Sequence, residues 1–145
     1  GEIGDVIGMP VYWCGGLPFV HDRKEGQTDF EYRIRNWYGY CWVAGDNIVE
    51  QHVHNLDIAN WVMGGPPTEV YASGGRVWKP KTEKYGDIFD QFSCDYTYAG
   101  DKHVFSMSRH WDGTDGGVFE QAFGTKKFSD CTDLSDSQTP MGHAY

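Results

Sequence analysis

Residues 46–63 read DNIVEQHVHNLDIANWVM, and the segment Gly64-Gly65-Pro66-Pro67 follows them directly. Apolar residues recur in this run at helical spacing, and a Gly-Gly-Pro-Pro segment is a typical helix terminator. Asn47 can cap the helix, and Glu50 lies three residues further on, as in a capping box. We therefore predict one helix over Asp46–Met63.

The residues before this helix predict one strand and one aromatic segment. Val6–Cys14 mixes apolar and β-favouring residues and ends at Gly15-Gly16, which indicates a first strand. Residues 15–28 are polar and contain several glycines, so we predict a loop. Asp29–Val43 is too aromatic for a solvated loop, and we predict an irregular or short-helical segment near a pocket.

The residues after the helix predict short strands separated by glycine and aspartate turns. Ala99–Lys102 is predicted to be a hairpin loop between two of them. The predicted strands are Glu69–Ala72, Arg76–Trp78, Asp87–Tyr98, His103–Trp111, Val118–Phe123 and Lys127–Cys131. An early strand, a helical region and then hairpin-linked strands are typical of an α+β fold. We predict two layers, with helices on one face of a mainly antiparallel open sheet.

A chain of 145 residues is long enough for one domain with a real core. We place that domain at residues 1–132 and a polar tail at residues 133–145. Aromatic residues on the second face of the sheet would indicate a dimer or a second domain packed there.

Composition argues against several classes of protein. The formal net charge is −9, and an acidic surface repels phosphate backbones, so nucleic acid is not an expected partner. No stretch reaches the apolar length of a membrane span. The four cysteines are scattered without a C-x-x-C pair, which argues against a structural zinc site. We expect mostly buried free thiols, although an even count would permit disulfides in an exported protein.

Helical geometry divides the side chains of residues 46–63 between two faces. At about 100° per residue, Glu50, His54, Asp57 and Trp61 share one stripe. His54 has an acid about one turn away on either side, and such neighbours favour imidazolium and can fix its tautomer, which suits a general base. The opposite side holds Ile48, His52, Leu56, Ala59 and Met63. The histidine on that side is expected to face the core.

Other interpretations of the stripe stay open. Glu50 could serve only as a helix cap, where the helix dipole also favours an acid. Glu50 and His54, with or without Asp57, could bind a metal ion, but a third ligand is not known and such motifs often occur by chance, so no metal is expected. If the segment were a strand, Glu50, His52 and His54 would share a face and could form a metal triad.

The run Gly45–Asp57 resembles the C-terminal domain of the glucose–fructose oxidoreductase/inositol dehydrogenase (Gfo/Idh/MocA) family. That family carries, on a helix after a glycine-rich turn, an acidic residue, three intervening residues, a histidine, two more residues and an aspartate. The matching positions here are Glu50, His54 and Asp57. The resemblance covers most of residues 2–130. One bacterial branch of the family is matched by Gly4-Asp5, Arg35-Asn36-Trp37-Tyr38, Gly74-Gly75-Arg76, Tyr85–Asp90 and Gly124-Thr125-Lys126.

The resemblance implies a chain that works as part of a larger enzyme. Family members join an N-terminal Rossmann domain, which binds NAD or NADP and carries the catalytic lysine, to this C-terminal domain. The chain begins with neither Met nor a signal segment, so we expect a piece of a longer protein that is inactive alone. The open sheet of the family commonly mediates oligomerisation, so a homo-oligomer is also expected. The compartment, bacterial cytoplasm or periplasm, stays open.

The resemblance also implies a reaction and a site. The expected function is the substrate-binding and acid–base domain of an NAD(P)-dependent oxidoreductase acting on a sugar or polyol-like molecule. His54 would take the hydroxyl proton, and Asp57 or Glu50 would orient it. The residues expected to contact substrate are Tyr32, Arg35, Asn36, Trp37 and Trp61. Alternatively, each of these residues could serve only to pack the preceding segment against the helix.

This sequence departs from the family pattern at two places. The family position at Glu50 is often Asp, and the glycine run before it has shrunk to Gly45. Two further functions are alternatives: a non-catalytic carbohydrate-binding or dimerisation module, and an NAD-dependent glycoside-cleaving member of the same family.

Overall fold

In residues 1–17 and 19–131, which the computed structural model describes, a seven-stranded sheet forms one layer and four helices form the other. The tail predicted at residues 133–145 lies outside this part of the chain. The strands are β1 (Val6–Gly15), β2 (Glu69–Gly75), β3 (Gln91–Tyr98), β4 (Lys102–His110), β5 (Gly117–Glu120), β6 (Ala122–Gly124) and β7 (Phe128–Ser129). The helices are α1 (Asp29–Arg35), α2 (Cys41–Ala44), α3 (Asn47–Glu50) and α4 (Val53–Met63), with 3-10 turns at Trp37–Gly39 and Glu83–Tyr85.

The sheet is open and mainly antiparallel. Its strand order is β2-β3-β4-β1-β6-β7, and β5 also pairs with β1. Strands β1 and β4 instead run parallel, from Gly8↔His103 to Gly15↔His110. A parallel pair needs a long crossover, which here contains the four helices together with β2 and β3. The predicted α+β class is confirmed.

A tight turn joins β3 to β4 at the predicted place. Residues Ala99–Asp101 link the two strands, with φ of +79° at Gly100 and +58° at Asp101. Glycine adopts positive φ without strain, and aspartate tolerates it better than most residues. The resulting hairpin pairs eight residues on each strand, from Tyr98↔Lys102 to Gln91↔Arg109.

The strand predicted at Arg76–Trp78 is wrong. β2 already ends at Gly75, and the chain then folds into a loop. The Arg76 guanidinium donates to backbone carbonyls within residues 79–86, and the Asp90 carboxylate accepts from backbone N–H groups of residues 77–79. Side chains thus satisfy backbone groups that a neighbouring strand would otherwise pair.

The last predicted strands are shorter than expected. Val118–Phe123 is divided into β5 and β6 at Gln121, whose N–H donates to the Pro10 carbonyl at 3.0 Å. Within the predicted strand Lys127–Cys131, Phe128–Ser129 pairs with β6.

The single helix predicted over Asp46–Met63 is wrong, because the helix is interrupted after Glu50. The His52 N–H bonds to the Asn47 carbonyl five residues back, at 3.1 Å. The His54 N–H bonds to the Gln51 carbonyl three residues back, at 3.3 Å. A wide turn followed by a tight one therefore separates α3 from α4.

The start of α3 also differs from the prediction. Asp46 rather than Asn47 is the N-cap, and its Oδ1 accepts from the Asn47 N–H at 2.6 Å. Gly45 and Asp46 both have positive φ, +73° and +74°, so the chain turns sharply before the helix. Within the described part of the chain, the Glu50 side chain makes no hydrogen bond to the helix start. The predicted capping box is not formed.

The two faces of the sheet differ in how they are covered. On the helix-covered face, the buried core contains Met9, Val11, Ala59, Tyr98, Val104 and Ala122. The opposite face leaves large apolar side chains exposed, among them Tyr71, Phe105, Met107, Phe123 and Phe128. Helices on one face are therefore confirmed, and the second face is uncovered, with exposed apolar side chains among polar ones such as Ser93 and Asp95.

The four thiols are free, as expected, but less buried than predicted. Cys94 is buried, Cys14 and Cys131 are half-buried, and Cys41 is exposed. Burial of the sulfur atom, together with the nearby charges of Asp46 and Asp87, raises the pKa of Cys41 to about 12. The exposed thiol is therefore protonated at neutral pH and is a weak nucleophile.

Candidate active site

Helix α4 presents the outer part of the predicted stripe. His54, Asp57 and Trp61 are exposed, with 84% of Trp61 accessible, and they lie at spacings of three and seven on one continuous helix. Asn55 and Ala59, on the other side, are completely buried. Within α4, the division into a solvent face and a core face is as predicted.

Glu50 belongs to a different helix from His54. It is half-buried at the end of α3, and the interruption means that regular helical spacing does not set its position relative to His54. Its carboxylate lies close enough to Tyr38 for its charge to act there. Burial, then the charges of Glu50 and Asp46, raise the pKa of the Tyr38 hydroxyl.

The His54 ring and the Asp57 carboxylate make no hydrogen bond or ion pair within residues 1–17 and 19–131. Both side chains are exposed. The expected contact by which an acid orients His54 is therefore not formed in this structure. An imidazole and a carboxylate that have no hydrogen-bond partner among the described residues can bond to groups outside the chain.

His52 is the residue at the junction of α3 and α4, and it is completely buried. Its Nδ1 lies 3.0 Å from the Asn55 Oδ1, which can only accept, and its Nε2 lies 2.5 Å from the Ser106 Oγ. The ring therefore carries its proton on Nδ1, and Ser106 donates to Nε2. Burial lowers the pKa of His52, although the bond to Asn55 opposes that shift. The prediction that His52 faces the core is confirmed.

Asn55 extends this network to the rest of the sheet. Its Nδ2 donates to the Tyr12 carbonyl on β1, at 3.3 Å, and to the Glu120 carboxylate on β5. Burial raises the pKa of Glu120, and the bond from Asn55 opposes that rise. The α3–α4 junction is thus bonded to strands β4, β1 and β5.

Two further buried side chains of β4 bond to the helical layer. The Ser108 Oγ donates to the Asn47 Oδ1 at 2.6 Å, and the His110 Nε2 lies 3.0 Å from the Tyr38 hydroxyl. The His110 Nδ1 is buried without a hydrogen-bond partner among the described residues. Burial, reinforced by the charge of Lys79, lowers the pKa of His110 to about 3.

The sequence prediction missed these polar contacts, although it contained their signal. Ser106, Ser108 and His110 occupy alternate positions on a strand whose preceding inward residue, Val104, belongs to the core. Polar residues at inward positions of a strand need partners, because a buried polar group without a hydrogen bond is costly.

Two residues expected to contact substrate have internal roles in this structure. Tyr32 and Asn36 are each 3% exposed. The Tyr32 hydroxyl donates to the His21 carbonyl at 3.1 Å, and the Asn36 Oδ1 accepts from the His21 N–H at 2.7 Å. Both side chains therefore hold the loop before α1, and their contact with substrate stays a prediction.

The other three residues expected to contact substrate are more accessible. The Arg35 Nη1 donates to the Asp22 carbonyl at 3.1 Å. The Trp37 ring packs against Phe19 and Tyr38 at centroid distances of 5.8 and 5.6 Å. Trp61 lies on α4, beyond Asp57. In the part of the chain that the structure describes, no hydrogen bond or ring contact joins Arg35, Trp37 or Trp61 to His54.

Two sequence and structural signatures of cofactor binding are absent from the described residues. None of the four helices follows a G-x-G-x-x-G loop of the kind that cradles a pyrophosphate. No three His, Cys, Asp or Glu side chains in residues 1–17 and 19–131 could hold a metal ion together. The same part of the chain contains no helix with the length and apolarity that crossing a membrane requires.

Comparison with known proteins identifies the family. Residues 1–127 match the family model described as the GFO/IDH/MocA C-terminal domain. The scyllo-inositol 2-dehydrogenase (NAD(+)) of Bacillus subtilis is 28% identical over 96% of this chain and 42% of that protein. The 2,7-anhydro-N-acetylneuraminate hydratase of Mediterraneibacter gnavus is 25% identical over 67% of this chain and 26% of that protein. The chain therefore spans less than half the length of these relatives.

Solved structures show the same fold. A myo-inositol dehydrogenase from Corynebacterium glutamicum superposes with a TM-score of 0.63 at 16% identity, covering 88% of this chain and 33% of that one. A levoglucosan dehydrogenase, in complex with NADH and levoglucosan, gives a TM-score of 0.62 at 18% identity, covering 86% and 32%. The family match over residues 1–127 and the shared open-sheet fold lead to one conclusion: the chain belongs to the GFO/IDH/MocA family, as its C-terminal domain.

Proposed function

We propose that this chain is the substrate-binding and acid–base domain of an NAD(P)-dependent oxidoreductase that acts on a sugar or polyol-like substrate. The observation that carries the proposal is the position of His54. In a chain of this family, it lies exposed on α4, three residues before Asp57 and without a hydrogen-bond partner among the described residues. Relatives named as dehydrogenases of inositol and levoglucosan support a polyhydroxylated substrate.

His54 is the proposed general base. Its exposed imidazole takes the proton of the substrate hydroxyl, and Asp57, three residues away on the same face of α4, stabilises the imidazolium that forms. Glu50, at the end of α3, is the second candidate for orienting the substrate or the imidazole. A bound dinucleotide would supply the acceptor for the hydride of the substrate carbon.

The dinucleotide is proposed to bind mainly to a Rossmann domain outside this chain. The name of one relative includes NAD, and the levoglucosan dehydrogenase structure contains NADH. The chain covers between a quarter and a half of these proteins, which leaves room in them for a second domain. Both NAD and NADP stay candidates for this protein.

The uncovered face of the sheet is proposed to join copies of the protein. Tyr71, Phe105 and Phe128 expose 82%, 57% and 67% of their surface there, and an apolar patch of this kind usually marks an interface. Light scattering that shows a monomer at every concentration would count against this part of the proposal.

A redox-neutral reaction is the second candidate function. It is favoured by the relative named as a hydratase, because the same acid–base pair could add or remove water. Product analysis separates the two candidates. A dehydrogenase accumulates reduced dinucleotide in proportion to substrate consumed, whereas a redox-neutral enzyme converts substrate with no net change in the dinucleotide.

The proposal is tested with the protein that carries this chain together with its nucleotide-binding domain. Myo-inositol, scyllo-inositol, levoglucosan and glucose are each supplied with NAD or NADP, and the reduced dinucleotide is measured by absorbance. We expect oxidation of at least one polyol, and no turnover and no tight dinucleotide binding by residues 1–145 alone. Tight NAD binding by residues 1–145 alone, or conversion of none of these compounds, would contradict the proposal.

A further inference from the structure

The inward face of β4 changes from apolar to polar along its length. Val104 is completely buried in the apolar core, but the next three inward positions are Ser106, Ser108 and His110. At most 5% of each of these polar side chains is exposed. Polar residues at three successive inward positions of a central strand are unusual, because apolar side chains normally fill such positions.

Each of these side chains bonds to a different part of the segment that leads into α4. His110 bonds to Tyr38 in the 3-10 turn, Ser108 bonds to Asn47 at the start of α3, and Ser106 bonds to His52 at the α3–α4 junction. From Ser106 to His110 along β4, the bonded partners lie progressively earlier in the chain, from His52 back to Tyr38. The strand thus holds the segment at three points.

The two serine contacts enclose Glu50. Asn47 is the first residue of α3, and its Nδ2 also donates to the Phe89 carbonyl at 3.2 Å. His52 lies two residues after Glu50 and two residues before His54. The relative position of the two candidate catalytic side chains therefore depends on how far apart Asn47 and His52 are held on the sheet.

We propose that Ser106 and Ser108 of β4 are positioning residues for the reaction, because together they fix the position of Glu50 relative to His54 across the helix break. The inference rests on the proposed function. It deepens that function by assigning a role to residues that touch neither substrate nor dinucleotide.

Hydrogen bonds suit this role better than apolar packing. A buried apolar contact tolerates sliding, whereas the Ser106 hydroxyl must meet the lone pair of the His52 Nε2 at 2.5 Å. The tautomer of His52 makes that contact specific, since Nδ1–H is already engaged by Asn55 at 3.0 Å. A shift of one residue in the α3–α4 turn would remove both bonds together.

The kinetic test compares three variants in the full-length protein, with the polyol that it oxidises. Ser106→Ala removes the hydroxyl, Ser106→Thr keeps it, and Thr114→Ala removes an exposed hydroxyl from the loop after β4. We expect Ser106→Ala to lower kcat by about tenfold to a hundredfold while KM changes little, because a small misplacement of reacting groups is enough for such a loss. Ser106→Thr should recover most of kcat, and Thr114→Ala should match the unsubstituted protein.

A second measurement does not depend on turnover. Amide hydrogen exchange in the 145-residue chain should become faster at residues 51–54 in Ser106→Ala, and unchanged in β1 and β3. Long-range ¹H–¹⁵N spectra should also show His52 as the Nδ1–H tautomer before the substitution and as a mixture after it.

The outcomes separate this inference from the proposed function. If the full-length protein oxidises no polyol, the proposed function fails, and hydrogen exchange alone then decides whether Ser106 positions the junction. Local acceleration at residues 51–54 supports positioning, and uniform acceleration or none overturns it. If polyols are oxidised, an unchanged kcat in Ser106→Ala, or no recovery in Ser106→Thr, overturns the inference.

Discussion

The interface between the sheet and the helices has an apolar half and a polar half. In the apolar half, Val104 and Val11 pack against Ala59 of α4 and are completely buried. In the polar half, Ser106 and Ser108 of the same strand β4 bond to the helical layer. The two halves therefore use different forces at adjacent positions of one strand.

This difference indicates that one half mainly stabilises the fold and the other mainly fixes the geometry of the site. Apolar burial is non-directional and supplies most of the stability of a fold, whereas hydrogen bonds add little net stability but fix orientation. The apolar half holds the body of α4. The polar half holds the segment in which Glu50 and His54 lie. Stability and site geometry should therefore respond to different substitutions.

Acid should weaken the polar half most strongly. Burial lowers the pKa of His110 from 6.5 to about 3 and also lowers that of His52, so folding disfavours protonation of both rings. Unfolded chains bind a proton below pH 6.5, so stability is complete above that pH and falls as the pH drops toward 3. At pH 4 the loss from His110 alone should reach about 3 kcal/mol, measured by urea unfolding at a series of pH values.

His110→Gln is the matched variant for this prediction. It keeps a polar group near the Tyr38 hydroxyl but cannot take up a proton. Asp95 raises the pKa of His103, so the contribution of His103 to stability falls as the pH rises, opposite to that of His110. This contribution is the same in both proteins and cancels in the comparison. The difference between the two pH profiles isolates His110, and identical profiles would show that its burial is not linked to stability.

The apolar half should lose stability without losing geometry. Val104→Ala removes two methyl groups from a completely buried site, and the expected loss is about 2 kcal/mol including the cavity that remains. Val77→Ala, at a side chain that is 81% exposed, should change stability by less than about 0.5 kcal/mol. At a temperature where Val104→Ala is folded, its kcat should equal that of the unsubstituted protein. A lower kcat would mean that the apolar half also sets the site.

A single bond in the polar half should have a smaller effect on stability. Ser108→Ala leaves the Asn47 Oδ1 with one partner fewer, and we expect a loss of about 1 kcal/mol in the free energy of unfolding. Chemical denaturation measures this value against Thr114→Ala as the control. A loss as large as that of Val104→Ala would remove the distinction between the two halves.

The sequence predicted the apolar half better than the polar half. Alternation of apolar residues was enough to place β4, the turn at Ala99–Asp101 and most of β3, which begins at Gln91 rather than at the predicted Asp87, because the hydrophobic period of a strand is local information. The inward serines alternate in the same way, but their partners, Asn47 and His52, lie more than fifty residues away in sequence. A local pattern cannot identify such partners.

The helix break shows the same limit. The apolar spacing over Asp46–Met63 fits a continuous helix, and nothing local in Gln51-His52 forbids one. The interruption instead accompanies contacts that His52 makes with Ser106 and Asn55. For the candidate site, the exposed positions of His54 and Asp57 on α4 could be predicted from periodicity. The buried positions of Tyr32 and Asn36 depend on the fold of the loop at His21 and could not.

His54→Gln should have the smallest effect on stability of these variants and the largest on catalysis, and it tests the central claim most directly. In the full-length protein, kcat for polyol oxidation should fall by about a hundredfold or more, because general-base catalysis contributes at least that factor. NAD affinity and the free energy of unfolding should stay nearly unchanged, since His54 is exposed and makes no side-chain hydrogen bond within the described residues. His21→Gln is the control, because the hydrogen bonds described for His21 use its backbone. A His54→Gln protein that turns over substrate at the unsubstituted rate would contradict the account.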